Sequence, residues 1–257
     1  MLIKKIYKPL LLLSLVFQGC NDFEDLNTNP NEPTAVSSGV LFSSAIRNSA
    51  QTQSNESFLL GNNIAQLSAK TIRAEVDFYG WNAFPTVWEG FYESLTDVQQ
   101  VIDISVETGD TATQAAAVIY KSWIYSVLTN AYGDIPYSEA MKGLEANFTP
   151  AYDSQEAIYA DLLNSLQQAV GMLSNGGNVQ GDLLFEGDTQ KWVQFANSLQ
   201  LRLLMYQSNK QDVSVAFASI VNSGNIINSN ENQAAVTFLS SSSLAQLRIT
   251  ISASCFI

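Results

Sequence analysis

The stretch Tyr120 to Pro136, "YKSWIYSVLTNAYGDIP", decides the fold of this 257-residue chain. Tyr120, Trp123, Ile124, Val127, Leu128 and Ala131 recur at three- and four-residue spacing, which a helix gathers onto one face and a strand scatters to two. Tyr132 closes the run. Gly133, with no Cβ to penalise a positive φ, supplies the cap, and Asp134 to Pro136 turn the chain into the next segment.

The same spacing recurs on both sides. Trp88, Phe91, Tyr92, Leu95, Val98 and Ile102 make a stripe upstream. Downstream, Ile158, Leu162, Leu166, Ala169, Val170 and Leu173 make another, with Asp153 and Glu156 placed as a capping box and Gly176 and Gly177 as the stop. Trp192, Phe195, Ala196, Leu199, Leu203 and Tyr206 follow behind an N-cap at Asp188 or Thr189. Val213, Phe217, Ile220 and Val221 form the last, ended by Gly224. All six prolines, at 9, 30, 33, 85, 136 and 150, fall outside these stripes, as helices require. Only the run from Leu247 to Ile251 reads as strand. The spacing predicts an all-α domain of antiparallel helix pairs, since short connections set consecutive helices side by side. No repeat of fixed period shows, and the aromatic stripes read first as core.

Composition narrows the function. With 12 basic against 24 acidic residues and a net charge of -12, the surface is wrong for nucleic acid, whose phosphates demand positive charge. Histidine is absent, which removes imidazole bases, Ser-His nucleophile pairs and histidine metal ligands together. No cofactor is implied. The acidic excess has no D-x-D-x-D-G loop to hold calcium, so no metal is assigned. Cys20 and Cys255 stand near opposite ends and do not make a disulfide framework.

The amino terminus carries an export signature: Lys4, Lys5 and Lys8 precede an apolar run from Leu10 to Phe17. That run is too short to span a membrane, which takes about 20 apolar residues. Gly19 followed by Cys20 has the form of a bacterial lipobox, in which the cysteine thiol is acylated and cleavage makes it the new terminus; Phe17 replaces the usual leucine three residues before the cut. The alternative is an ordinary signal with a chance cysteine. Acyl chains contribute about 0.8 kcal/mol per buried methylene, so several together anchor a protein with no spanning helix. The polar, proline-bearing residues after Cys20 then read as a tether.

Three segments, "NAYGDIPYSEA" at 130–140, "YDSQEAIYADLLNSLQQAV" at 152–170 and "GDLLFEGDTQKWVQFANSLQLRLLM" at 181–205, occur in order with the lipobox and "DLNTNPNEP" at 25–33. Together they resemble the SusD/RagB family of nutrient-binding outer-membrane lipoproteins of Bacteroidetes-type bacteria, from Cys20 to about Phe238. Within the motifs Trp192 reads as a core anchor, and Asn197 and Arg202 as partners for buried carbonyls or acids. The resemblance implies tetratricopeptide-like helix pairs and no enzymatic activity. It implies an outer-membrane protein, lipid-anchored and facing the extracellular side, that captures an oligosaccharide or a peptide and passes it to a SusC-like TonB-dependent transporter.

The chain then divides into a lipoprotein signal peptide (1–19), a tether after lipidated Cys20 (20–34), a helical domain matching the N-terminal half of the family fold (35–239) and a divergent tail (240–257). The tail loses the helical stripe, and the expectation is a truncated or frame-shifted product. Family motifs do not transfer ligand contacts. The least helical aromatic cluster, "FYGWNAF" at 78–84, makes Tyr79, Trp81 and Asn82 the candidates for stacking on a sugar ring; the plainer alternative is that Trp81 plugs the top of the bundle.

Two rivals stand beside this reading. A surface glycosidase needs only two carboxylates, for which Asp134 with Glu139, or Glu186 with Asp188, are the candidate pairs. A helical scaffold for protein partners needs no small ligand at all. Mass spectrometry of protein drawn from its native envelope is expected to find acyl chains on Cys20 of a molecule that resists washing from the membrane. A free thiol on readily released protein is the contrary outcome.

Overall fold

The computed structural model describes residues 36–71, 78, 80, 85–239 and 246–250. Cys20, Tyr79, Trp81, Asn82 and Cys255 lie outside the described residues. Among those described, six helices carry the fold: α1 (Ser38–Glu56), α2 (Pro85–Thr108), α3 (Thr111–Tyr132), α4 (Gln155–Leu173), α5 (Thr189–Gln207) and α6 (Ser214–Ser223). A π turn at Ser57–Gly61 and a short helical piece at Asn62–Ile64 prolong α1. Each helix packs chiefly on the next in sequence, and α3 also meets α1 and α5. The architecture is all-α, with helix pairs of the tetratricopeptide-like kind. No helix among the described residues is long and apolar enough to cross a membrane.

The sequence stripes are the helices, with one difference in the middle. The stripe on α3 marks only one of its buried faces. Ala115, Ala116, Ala117, Ser122, Tyr125, Ser126 and Thr129 are buried as well, because α2, α4 and α5 enclose the helix. A helix enclosed on several sides is apolar most of the way round and loses the amphipathic contrast from which a sequence is read. Its buried serine hydroxyls are satisfied locally. Ser122 Oγ donates to the Val118 carbonyl at 2.8 Å and Ser126 Oγ to that of Trp123 at 2.6 Å. These bonds spare the cost of burying an unpaired polar group.

Trp192 on α5 sits at the core's aromatic centre, its ring 5.8 Å from Phe42, 5.3 Å from Phe185, 5.9 Å from Phe195 and 6.5 Å from Tyr120. Its indole N–H donates to Asp182 at 2.8 Å. The same carboxylate accepts from the backbone N–H groups of Leu184, Phe185 and Gly187 at 2.8, 3.2 and 2.9 Å, folding the loop ahead of α5 around one anion. That loop reaches back to α1, where Ser43 Oγ donates to the Gly181 carbonyl at 2.7 Å.

Small β elements accompany the helices. β1 (Ile135–Pro136) pairs antiparallel with β2 (Tyr152–Asp153), and β3 (Ala235–Leu239) with β4 (Gln246–Thr250). The strand-like tail is therefore a hairpin arm, and the hairpin lies against α1. Three local expectations change. The N-cap of α4 is Ser154, whose Oγ accepts from Ala157 N at 3.3 Å, and not Asp153, whose carboxylate is spent elsewhere. Gly133 takes φ 78° and ψ -120°, a conformation that still requires glycine but lies outside the left-handed helical well. The stripe on α6 is not buried: Phe217 and Ile220 are half-buried and Val221 is exposed, because among the described residues α6 packs chiefly on α5.

Gly181 is the tightest point of the fold. It adopts φ +69°, and a Cβ there would come within 1.8 Å of the Gly39 carbonyl oxygen. Gly109 has a similar φ of +72° with open space around it. Gly181→Ala is expected to cost about 3 kcal/mol or more, against about 1 to 2 kcal/mol for Gly109→Ala, as read from urea unfolding midpoints. Equal losses would mean that the contact with α1 is slack.

Candidate functional site

The turn between α3 and α4 is held by three carboxylates, each using its charge on backbone donors. Asp134 accepts from Gln155 N at 2.9 Å, tying the end of α3 to the start of α4, and Gln155 Nε2 returns a bond to the Thr129 carbonyl at 2.6 Å. Asp153 accepts from Tyr137 N at 3.2 Å, Ser138 N at 2.7 Å and Ser138 Oγ at 2.9 Å. Glu139 accepts from Ala151 N at 2.9 Å and from the Asn147 amide at 3.4 Å. The first two family-like motifs thus staple one helix pair together.

That staple gathers aromatic side chains from three segments at one end of the bundle. The Trp88 ring lies 4.8 Å from Tyr92, 5.2 Å edge-on to Tyr132 and 6.4 Å from Tyr152, with only 23° between the last pair of planes. Tyr92 hydroxyl donates to the Pro136 carbonyl at 2.7 Å, and burial raises its pKa, with the nearby Tyr152 hydroxyl adding to the shift. Tyr152 is 65% exposed, so the cluster opens to solvent. Aromatic faces of this kind offer an apolar surface for the C–H face of a ring.

Beside it lies an open groove of about 480 Å³, lined among others by Asp134, Gln155, Glu156, Tyr159, Tyr206 and Lys210. Tyr159 hydroxyl is bonded to the Asn130 side chain, and burial pushes its pKa up to about 12, so it remains a neutral donor. Arg202 lies 5.7 Å from the Tyr206 ring centroid and donates through Nε to its hydroxyl at 3.3 Å. Amides, carboxylates, an amine and phenols around one concave surface suit a ligand rich in hydroxyls or amides.

The glycosidase pairs do not fit. Asp134 and Glu139 are committed to backbone N–H groups, and Asp188 caps α5 through Gln190 N at 2.8 Å and Lys191 N at 3.3 Å. A glycosidase acid needs a raised pKa, whereas the Ala151 N–H and then the Asn147 amide hold Glu139 below the usual carboxylate range. Among the described residues no group of three or more acids or cysteines is placed to hold a metal.

Sequence reasoning assigned Trp88 and Tyr92 to the core and overlooked Tyr132 and Tyr152. Trp88 and Tyr92 are indeed half-buried against the core, but Trp88 also meets Tyr132 and Tyr152. No spacing rule joins residues 88, 132 and 152. The usable signal was the placement of Tyr132 and Tyr152 within two residues of the stapling acids Asp134 and Asp153. Tyr79, Trp81 and Asn82 fall outside the described residues; in sequence they stand just before Pro85, where α2 begins. Of the motif residues, Asn197 serves a carbonyl, that of Asn225 at 2.8 Å, but an exposed one beyond the end of α6, and Arg202 Nε donates to an exposed phenol, that of Tyr206.

Stapled helix pairs with one open aromatic end define a binding scaffold rather than a reaction centre. The chain belongs to the SusD-like family, described as starch-binding and associating with the outer membrane, whose profile matches residues 30–251. The match runs past Phe238 into β4. Proteins of this family bind and do not catalyse. Among solved structures, a SusD homologue from Bacteroides fragilis superposes with a TM-score of 0.66 at 23% identity, over 80% of this chain and 44% of its own. A SusD/RagB family protein from Bacteroides thetaiotaomicron gives 0.66 at 24%, over 81% and 47%. A chitin-binding protein gives 0.61 at 27%, over 77% and 45%. This chain therefore spans less than half the length of those proteins. No curated protein matches it.

The staples carry a pH signature. The Ser138 N–H, opposed in part by desolvation, and then the Ser138 hydroxyl and Tyr137 N–H hold Asp153 below the usual carboxylate range. A carboxyl lowered on folding contributes stability that is fully present above its unfolded pKa, about 3.9, and is lost as pH falls through the folded value. Asp153→Asn is expected to lower the urea midpoint at pH 7 and to flatten its decline below about pH 4. A variant with an unchanged acid limb would assign that limb to other groups.

Proposed function

We propose that this protein is a surface-exposed outer-membrane lipoprotein that binds oligosaccharide and hands it to a SusC-like TonB-dependent transporter. In this reading residues 1–19 direct export, acylated Cys20 anchors the chain in the membrane facing outward, residues 20–34 form the tether and 35–239 the binding body. The observation that carries the ligand class is the solvent-open cluster of Trp88, Tyr132 and Tyr152, flanked by a polar groove. Flat aromatic faces stack on the apolar faces of sugar rings, and the groove's amides and acids complement the hydroxyls.

Family membership supports the same reading, as does the likeness to a chitin-binding protein. Tyr79, Trp81 and Asn82, immediately ahead of α2 in sequence, are proposed to belong to the same surface. A peptide ligand uses the same aromatic and amide groups less fully, since it lacks the dense hydroxyls that the groove's acids and amides would meet.

The test is titration of the whole chain with soluble malto-oligosaccharides, chito-oligosaccharides and a mixed peptide digest. Tyr152→Ala, at an exposed position, and Trp88→Ala are expected to weaken glycan binding tenfold or more, about 1.4 kcal/mol. Peptide binding with no response to any glycan, or glycan binding indifferent to both variants, would overturn the assignment.

A further inference from the structure

A second cleft, of about 220 Å³, lies over α3 between α2 and α4 and shares no lining residue with the groove at the aromatic end. That is room for a small ligand rather than for one or two waters. Lys121 rises from its floor, donating to Gln99 Oε1 at 2.7 Å and standing 5.9 Å from the Tyr125 ring centroid. Asp161 lines the opposite wall, its carboxylate accepting the Tyr137 hydroxyl at 2.6 Å.

The pairing of these groups is incomplete. Among the described residues no carboxylate comes within ion-pair distance of Lys121, although Asp103 and Asp161 lie near enough to favour its charge; burial pulls the amine's pKa down despite them. An ammonium has three donors, of which the structure accounts for one. A lysine and a carboxylate that line one cleft without touching leave unspent donors and acceptors around a shared gap. An anion entering that gap meets Asp161, and a cation meets Lys121. A neutral molecule with adjacent hydroxyls meets neither penalty, because one hydroxyl accepts from the amine while its neighbour donates to the carboxylate. Ser122 and Ser165 border the same space; their hydroxyl protons are spent on the Val118 carbonyl and on Tyr137, which leaves them as acceptors for a ligand hydroxyl. The half-buried wall residues Ile102 and Val118 supply the apolar surface that the C–H face of a ring requires.

We propose that this cleft is a second binding site for one neutral, polyhydroxylated ring, with Lys121 donating to one hydroxyl and Asp161 accepting from the next. The site's own chemistry specifies the polyol; taking that polyol to be a residue of a glycan rests on the function proposed above. A short chain end held here, apart from the aromatic end, would let one molecule contact a glycan at two places and gain from the second contact without new affinity at the first.

The test is saturation-transfer NMR on the whole chain with glucose, galactose and N-acetylglucosamine as separate probes at millimolar concentration. At least one sugar is expected to show transfer and to shift the Lys121 Nζ resonance, with the sugar concentration needed for that shift rising tenfold or more in Asp161→Asn and transfer falling in Lys121→Met. Asp161 is exposed, so Asp161→Asn keeps the test decisive if Lys121→Met does not fold. A Lys121 Nζ resonance that no sugar moves, or that moves at an unchanged sugar concentration in Asp161→Asn, would overturn the proposal. Hexose binding that persists while Trp88→Ala and Tyr152→Ala leave oligosaccharide binding untouched would refute the aromatic end and sustain this cleft.

Discussion

The hydrogen bond from the Trp192 indole to Asp182 is the constraint on which the rest of the structure depends. Trp192 fills the centre of the core between α1, α3 and α5, where burying an aromatic ring contributes about 3 kcal/mol, and its one polar atom must find a partner there or forfeit roughly 1 to 3 kcal/mol. Asp182 is that partner. By accepting three backbone N–H groups from the loop as well, it fixes the path of the chain between α4 and α5 and seats Gly181 against Gly39 on α1. One carboxylate thereby couples the innermost side chain to the first helix and sets where α5 begins.

The same device recurs at the turn between α3 and α4, with a different consequence. Asp134, Glu139 and Asp153 spend their charge on backbone donors, so carboxylates that in sequence resemble a catalytic pair become fasteners. Their chemistry is thereby used up. What remains for a ligand is the surface they position: the rings of Trp88, Tyr132 and Tyr152 and the phenols and amides of the adjoining groove. Rigid placement of aromatic and amide groups is the function such a scaffold performs well.

Helices α2, α4 and α5 were legible because each shows one face to the core and one to water, and that asymmetry writes a three-to-four-residue rhythm into the sequence. Trp192, Phe195 and Leu199 on α5 and Ile158, Leu162 and Leu166 on α4 are buried where the rhythm puts them. The cap of α5 at Asp188 was legible for a local reason, since a cap acts within one turn. Asp153 was misread for the opposite reason. Its sequence position suits a cap, yet its carboxylate finds donors on the far side of the turn, at Tyr137 and Ser138. The small sheets follow the same division: the tail strand had a recognisable run, while the two-residue bridge of β1 and β2 did not.

The sequence by itself determined the helical class, the acidic and histidine-free chemistry, and the ordered motifs by which the SusD-like family is recognised, because composition and periodicity are properties of single segments. Only the tertiary structure decided that Trp88, Tyr132 and Tyr152 form one surface and that Lys121 and Asp161 border one cleft without pairing. Those facts depend on how α2, α3 and α4 are stapled in space. Residues separated by tens of positions leave no mark of their proximity in the order in which they are written.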